Sequence, residues 1–290
     1  MKSILLIGKT GQLGAEILQS APFFDFQVFA YGRDELDITD TAAVREVVQR
    51  HRPSIIINTA AFHVVPQCEV EPSEAFRVNC IAVSNLAKIA KENGARFMTF
   101  STDYVFDGEK GAPYMEDDTP RPIQFYGISK LAGEYAAQNI FPEGVYIIRT
   151  CGLYGGREGS KSRGGNLVLK MLKDAEKSNS VEVSSAEIAN PTSTKDLSEG
   201  VLKLLQNDAP PGIYHLVSEG QCSWYEFVRE IYRLSGKKRE VIPVDRGGFG
   251  DGIRRPKFSV LANSKARALG IILPYWQEGL AAYIKFLSEN

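Results

Sequence analysis

Three side chains able to do chemistry stand close together between Ser101 and Lys130. Thr102 sits in Ser101-Thr-Asp-Tyr-Val-Phe-Asp-Gly108, just after the apolar run Phe97-Met-Thr-Phe100. Tyr126 and Lys130 bracket Tyr126-Gly-Ile-Ser-Lys130, which opens a helical pattern running to about Asn139. A spacing of four puts the phenol and the ammonium on one helix face, about one turn apart. The apolar run reads as a buried strand that delivers Thr102 at its carboxyl end. An isolated phenol titrates near ~10, and a fixed cation beside it favours the ionised form, so it exchanges a proton more readily near neutrality. If the trio faces a nicotinamide, it can donate the proton in a carbonyl reduction. That reading requires a nucleotide-binding frame.

The first 150 residues read as such a frame. Ser3 to Ile7 is a continuous apolar run suited to a strand buried on both faces, followed by Gly8-Lys-Thr-Gly11-Gln-Leu-Gly14 and a helical pattern through Ser20. A strand, a glycine turn and a helix start present backbone N–H groups at a positive helix end, where a pyrophosphate binds. The spacing is G-x-x-G-x-x-G. A second strand, Phe26 to Ala30, ends at Tyr31-Gly-Arg33, where an NAD enzyme usually carries an acid for the ribose hydroxyls. Gly32 and Arg33 favour a 2′-phosphate and hence NADPH; Asp34 and Glu35 follow closely and leave NADH as the alternative. Asp37 and Ile38 fall where an adenine would lie, ahead of a helix starting near Thr41. A third strand, Ser54 to Asn58, ends in Thr59-Ala60-Ala61, small enough for a cofactor to approach the backbone. Residues 74 to 93 read as one long helix, and Val145 to Arg149 as a fifth strand. Five strands alternating with helices predict an α/β fold with a Rossmann-type doubly wound parallel sheet.

After Thr150 the texture changes. Gly152 to Gly165 is rich in glycine and basic residues and reads as a long active-site loop leaving the nucleotide domain. Helices are expected at Asn166–Ala175 and Lys195–Gln206, and a turn and short strand over Pro210–Leu216. Ser223-Trp-Tyr-Glu226 reads as a capping box opening a helix to Leu234, and Trp276–Leu287 as a last amphipathic helix. The expected division is an NAD(P)-binding domain over 1–150, which part of 185–210 can rejoin, and a smaller, loop-rich substrate domain over 151–290.

Bulk properties exclude other classes. Thirty-four basic against 35 acidic residues leave a net charge of -1, which argues against nucleic-acid binding through a broad basic field. Arg246, Arg254, Arg255 and Lys257 form a local cluster that either holds a phosphorylated small molecule or is solvated surface. The cysteines (Cys68, Cys80, Cys151, Cys222) and histidines (His51, His63, His215) are scattered without metal-ligand spacing, so no metal is expected, and a reduced, cytoplasmic chain is. No run approaches the ~20 apolar residues of a membrane span.

The glycine turn, Ser101-Thr-Asp-Tyr-Val-Phe106 and Tyr126-Gly-Ile-Ser-Lys-Leu-Ala-Gly-Glu134 resemble the extended short-chain dehydrogenase/reductases. Ile213-Tyr-His-Leu-Val217, Ser223-Trp-Tyr225, Arg254-Arg-Pro256 and Leu273-Pro-Tyr-Trp276 further resemble the dTDP-4-dehydrorhamnose reductase subfamily, so the similarity spans essentially the whole chain. The resemblance implies NADPH-dependent reduction of the C-4 keto group of a nucleotide-activated 6-deoxy sugar. Tyr126 would protonate the sugar oxygen, Lys130 would lower the phenol pKa and hold the nicotinamide ribose, and Thr102 would hydrogen-bond the same oxygen. Cofactor contacts are expected from Gly8, Lys9, Thr10, Gly11, Gln12, Leu13, Gly14, Arg33, Asp37 and Ile38. Ala60, Ala61, Phe62, His63 and Phe100, with Tyr126 and Lys130, would complete them. Substrate contacts are expected from Thr102, Asp103, Tyr104, His63, Asn166, Arg254 and Arg255. A nucleotide-sugar substrate and a second copy in a homodimer are the expected partners, with neither nucleic acid nor membrane.

Several substrate-facing positions depart from the subfamily pattern. His63 and Pro66 stand where a threonine and an aspartate are usual. Gly152 replaces a tryptophan that helps enclose the sugar, and Ser185-Ala-Glu-Ile-Ala-Asn-Pro-Thr192 lacks the usual acid and amide. His63 either replaces the lost hydroxyl or simply packs at a strand end. These departures keep two alternatives open: a reductase of another nucleotide sugar, or a NADP-binding regulatory module resembling the β subunit of methionine adenosyltransferase.

Overall fold

The computed structural model describes residues 2–160, 164–245 and 252–289. Its first half alternates as the apolar runs require: β1 (Lys2–Ile7), α1 (Gln12–Ser20), β2 (Phe26–Tyr31), α2 (Thr41–His51) and β3 (Ile55–Asn58). Two short helices, α3 (Val65–Val70) and α4 (Pro72–Phe76), lead through a π-helical turn, Arg77–Ala82, into α5 (Val83–Glu92). The helix expected over 74–93 is therefore one helical run with a widened turn inside it. Then come β4 (Arg96–Thr102), α6 (Phe125–Ile140) and β5 (Val145–Thr150). Caps set several starts. Asp40 accepts the Ala42 and Ala43 N–H groups at 3.1 and 3.0 Å, and Gln124 accepts that of Gly127 at 2.6 Å.

The second half contributes α7 (Leu167–Asp174), β6 (Ser180–Ser184), β7 (Ile188–Ala189), α8 (Thr194–Gln206) and β8 (Gly212–His215). It closes with β9 (Cys222–Ser223), α9 (Trp224–Ser235), β10 (Glu240–Val244), α10 (Ser264–Ala268) and α11 (Trp276–Ser288). The predicted capping box at α9 is present, Ser223 and Glu226 bonding each other's backbone.

The central sheet runs β2-β1-β3-β4-β5-β8, all parallel. It has six strands rather than the five expected over the first 150 residues, because β8 pairs with β5 from beyond the cap. The short strand expected within Pro210–Leu216 is this one; its place in the central sheet was not expected. Alternate strand residues feed two cores. Ile4, Leu6, Ile57, Met98 and Ile148 meet α1 and α8 on one face, while Leu5, Ile7, Ile56, Phe97 and Ile147 meet α2, α5 and α6 on the other. The cap has its own core around Tyr154, Val168, Phe227, Ile231 and Trp276, and β6 pairs with β10 in a small parallel sheet. Strand order reverses between β1 and β3, so the crevice at their carboxyl ends is where a doubly wound sheet binds its ligand.

Candidate active site

At the end of β1 the chain turns sharply. Gly8 has φ +96°, and a Cβ on Gly14 would stand 2.2 Å from Gly8 O, so only glycine lets α1 pack this closely on the turn. Thr59 Oγ1 locks the crossing from β3, donating to Ile7 O at 2.9 Å. No side chain caps α1, whose N-cap is Gly11, so the N–H groups of its first turn are left for an anion. That donor set suits a dinucleotide pyrophosphate.

Other predicted cofactor residues divide by where their side chains go. Leu13 and Ile38 point into the two cores, which confines any ligand contact to their backbones. Asp37 accepts from the Thr39 N–H and hydroxyl, each at 2.8 Å, and the backbone bond first of all holds its carboxyl low. Lys9, half-buried in the turn, reaches Glu35, while Thr10 and Arg33 are exposed. Ala60, Ala61, Phe62 and His63 follow β3, and the Phe62 segment is pinned by an amide: Asn79 Oδ1 accepts its N–H at 2.9 Å and Asn79 Nδ2 donates to its carbonyl at 2.8 Å. Phe100 is half-buried on β4 against the core that receives α1.

Two of the residues expected to take part in proton transfer, Thr102 and Tyr126, pack on Tyr104. Thr102, buried at the end of β4, accepts the Tyr104 N–H at 3.2 Å and donates to Asp103 Oδ1 at 3.0 Å. The Tyr126 ring, half-buried at the start of α6, lies edge-on to Tyr104 with centroids 6.2 Å apart. Lys130 is one turn on and only 6% exposed. Burial lowers its pKa to about 8, with the Glu134 carboxylate opposing the shift. Glu134 is itself held by Arg149 in a buried pair, Nη2 to Oε2 at 2.7 Å. Asn79 Nδ2 also donates to Ser129 Oγ at 3.0 Å, and Ser129 Oγ to Tyr126 O at 2.9 Å. One amide thus ties the loop after β3 to the helix carrying Tyr126 and Lys130.

The expected substrate residues separate in the same way. Asp103 is buried and accepts from Ser259 Oγ at 2.6 Å, Cys151 Sγ at 3.2 Å and Thr102; burial raises its pKa against these bonds. Three of its roughly four acceptor sites are used by the protein. Asn166 caps α7, accepting the Leu169 N–H at 3.0 Å, and donates to Tyr283 OH, Gly155 O and Gln12 Oε1 at 3.0, 3.2 and 3.3 Å. It fastens the loop after β5 to the glycine turn. His63 Nε2 lies 3.1 Å from Ser160 Oγ, a second tether to the same loop. Arg255 is buried and its charge opposes the rise that desolvation imposes on the Tyr104 phenol, whereas Arg254 is exposed. Arg246 lies outside the described residues. Gly152, where the subfamily carries a tryptophan, faces the Trp224 ring: a Cβ there would meet Trp224 Cη2 at 2.9 Å.

A model of the RmlD substrate binding domain matches residues 1–288. The chain belongs to that family. Among its relatives, the spore coat polysaccharide biosynthesis protein SpsK of Bacillus subtilis is 37% identical over 98% of both chains. A dTDP-4-dehydrorhamnose reductase of Streptomyces griseus is 37% identical over 95% of this chain and 91% of the relative. The crystal structure of the dTDP-4-dehydrorhamnose reductase of Bacillus anthracis, in complex with NADP, superposes with a TM-score of 0.92 at 34% identity, covering 99% of this chain and all of that one.

Asn79, Glu134, Cys151, Trp224 and Ser259 escaped the sequence reading. The spacing of four between Lys130 and Glu134 is the one local signal among them. Among the described residues no helix is long and apolar enough to cross a membrane, and no group of three or more His, Cys, Asp and Glu could hold a metal ion.

Proposed function

We propose that this RmlD-family protein uses NADPH to reduce the C-4 keto group of a nucleotide-activated 6-deoxy sugar, namely dTDP-4-dehydrorhamnose, giving dTDP-L-rhamnose. The observation that carries the reading is the contact of Tyr104 with both Thr102 and Tyr126, with buried Lys130 one helical turn beyond Tyr126, in a fold whose first turn is an uncapped glycine anion cradle. Relatives at this identity that are named as dTDP-4-dehydrorhamnose reductases support the substrate.

NADPH, when bound, supplies the hydride. The uncapped start of α1 and the Gly8–Gly14 turn bind its pyrophosphate, and Ala60, Ala61 and Phe62 line its path from β3 toward the nicotinamide end. Tyr126 donates its phenolic proton to the sugar oxygen, and the Lys130 ammonium stabilises the phenolate left behind. Thr102 has a single hydroxyl proton, which Asp103 accepts; to hold the sugar oxygen the hydroxyl turns that proton from Asp103 to the substrate. Buried Arg255 beside Tyr104 suits a phosphate of the nucleotide sugar, and exposed Arg254 is secondary. His63 and Asn166 hold the covering loop, and Trp224 walls the pocket beside Gly152. The four cysteines, none of them in a disulfide, support a cytoplasmic location. A homodimer is supported by exposed Ile128 and Tyr135, two turns apart on one face of α6.

The test follows NADPH oxidation with dTDP- and UDP-linked 4-keto-6-deoxy sugars offered in parallel. Turnover of the dTDP sugar with release of dTDP-L-rhamnose is expected. Tight NADPH binding without turnover of any sugar nucleotide would overturn the enzymatic reading in favour of a regulatory module.

A further inference from the structure

At the tip of β2 a carboxylate occupies the donors that a cofactor phosphate would need. Glu35 Oε2 accepts the Gly32 N–H at 2.7 Å and lies 2.7 Å from Lys9 Nζ, whose ammonium also donates to Glu35 Oε1 at 2.8 Å. Lys9 comes from the glycine turn, and its own N–H donates to Tyr31 O at 3.1 Å, so turn and strand end are joined by backbone and side chain alike. A Cβ built on Gly32 would have Thr10 Cγ2 at 3.1 Å, Glu35 Oε2 at 3.4 Å and Lys9 Cε at 3.8 Å as its nearest neighbours. The surface of Gly32 is therefore ringed by one carboxylate and one cation. Arg33, the other cation nearby, is exposed and acts on Asp37 and Glu74, helping to hold both carboxyls low.

In a doubly wound sheet the adenosine ribose lies over this strand end, and its 2′ substituent meets whatever stands there. A 2′-hydroxyl can donate to Glu35 with the Lys9 contact left in place. A 2′-phosphate brings more negative charge against the carboxylate and competes for both Lys9 and the Gly32 N–H. With its side chain 51% exposed, Glu35 is able to swing into solvent and release them.

We propose that Glu35 is the cofactor-specificity residue of this protein: an internal anion that competes with the 2′-phosphate for Lys9 and Gly32, and so narrows the preference for NADPH over NADH. The inference rests on the dinucleotide-dependent reading above. It differs from the sequence expectation in placing the decision at Lys9 and Glu35 rather than at Arg33.

The experiment measures dissociation constants of NADPH and NADH, by quenching of protein fluorescence, for the wild type, Glu35→Gln, Glu35→Ser, Lys9→Met and the double variant Lys9→Met/Glu35→Gln. Inhibition by 2′,5′-ADP and by 5′-ADP is measured alongside. Both Glu35 variants should tighten NADPH and 2′,5′-ADP by roughly twofold to fivefold and leave NADH and 5′-ADP unchanged or weaker, as expected for removing one partly exposed charge. The gain should vanish in Lys9→Met/Glu35→Gln. Unchanged NADPH-to-NADH ratios in both Glu35 variants, with both cofactors bound, would overturn the proposal alone. Binding of neither cofactor by the wild type would overturn it together with the reductase reading.

Discussion

The two ends of the cofactor crevice use charge in opposite ways. At the catalytic end Lys130 is 6% exposed, burial brings its pKa down to about 8, and the nearby Glu134 is clamped by Arg149 with both side chains almost wholly out of water. At the adenosine end Lys9 and Glu35 form a pair whose side chains are 30% and 51% exposed. Buried charges are costly to unpair, whereas exposed ones rearrange for little. One end is built to hold a geometry and the other to exchange partners. The proposed mechanism assigns chemistry to the first, and the proposed role of Glu35 assigns cofactor choice to the second.

Substitutions can break this contrast, and the buried end should give the largest effects. Lys130→Met should lower kcat by roughly 10²- to 10⁴-fold, the usual contribution of a group that assists proton transfer, without loss of thermal stability. Inactivity caused by unfolding would contradict this, and circular dichroism distinguishes the two. Next is Glu134→Ala, which leaves the Arg149 guanidinium buried without its carboxylate. Urea denaturation should show a loss of about 3–5 kcal/mol, and a loss below about 1 kcal/mol would mean that the pair is not shielded.

A pH series sharpens the same point. The folded-state pKa of Lys130 lies below its ordinary value, so the unfolded chain holds a proton that the folded chain has released between about pH 8 and 10.5. The contribution of this residue to stability therefore rises with pH across that window. Activity, which needs the ammonium, should fall above about pH 8. Stability and kcat/KM moving in opposite directions, with the stability trend absent from Lys130→Met, is the expected signature. At the exposed end Lys9→Met should change stability by no more than about 0.5 kcal/mol. Its effect should appear in NADPH affinity and diminish as salt is raised.

The division between buried and exposed ends also explains what the sequence made legible. The Gly8–Gly14 turn and the Tyr126/Lys130 pair announce themselves because turn geometry and helix periodicity are local. Thr102 was readable from its place after an apolar run. Asn79 was not, since an amide inside a helical run has no pattern of its own, and its partners Phe62 and Ser129 lie 17 and 50 residues away. The bonds that Asp103 makes within the protein were not readable, because its partners Cys151 and Ser259 lie 48 and 156 residues on. The same holds for the sheet. β1 to β5 are buried runs flanked by helices, while β8 is four residues long and pairs only after the cap has been threaded. β6 and β10 are short and half-exposed, with Pro243 inside β10, so they carry too little apolar pattern to be read.

The central claim is that Tyr126 donates the proton in a nucleotide-sugar reduction. Its most direct test is Tyr126→Phe, a change of one oxygen, assayed for turnover of dTDP-4-dehydrorhamnose and for NADPH binding on the same preparation. A kcat reduced by at least about 10²-fold, with the NADPH dissociation constant within roughly threefold of wild type, is the predicted result. A variant that still turns over at close to the wild-type rate would contradict the account.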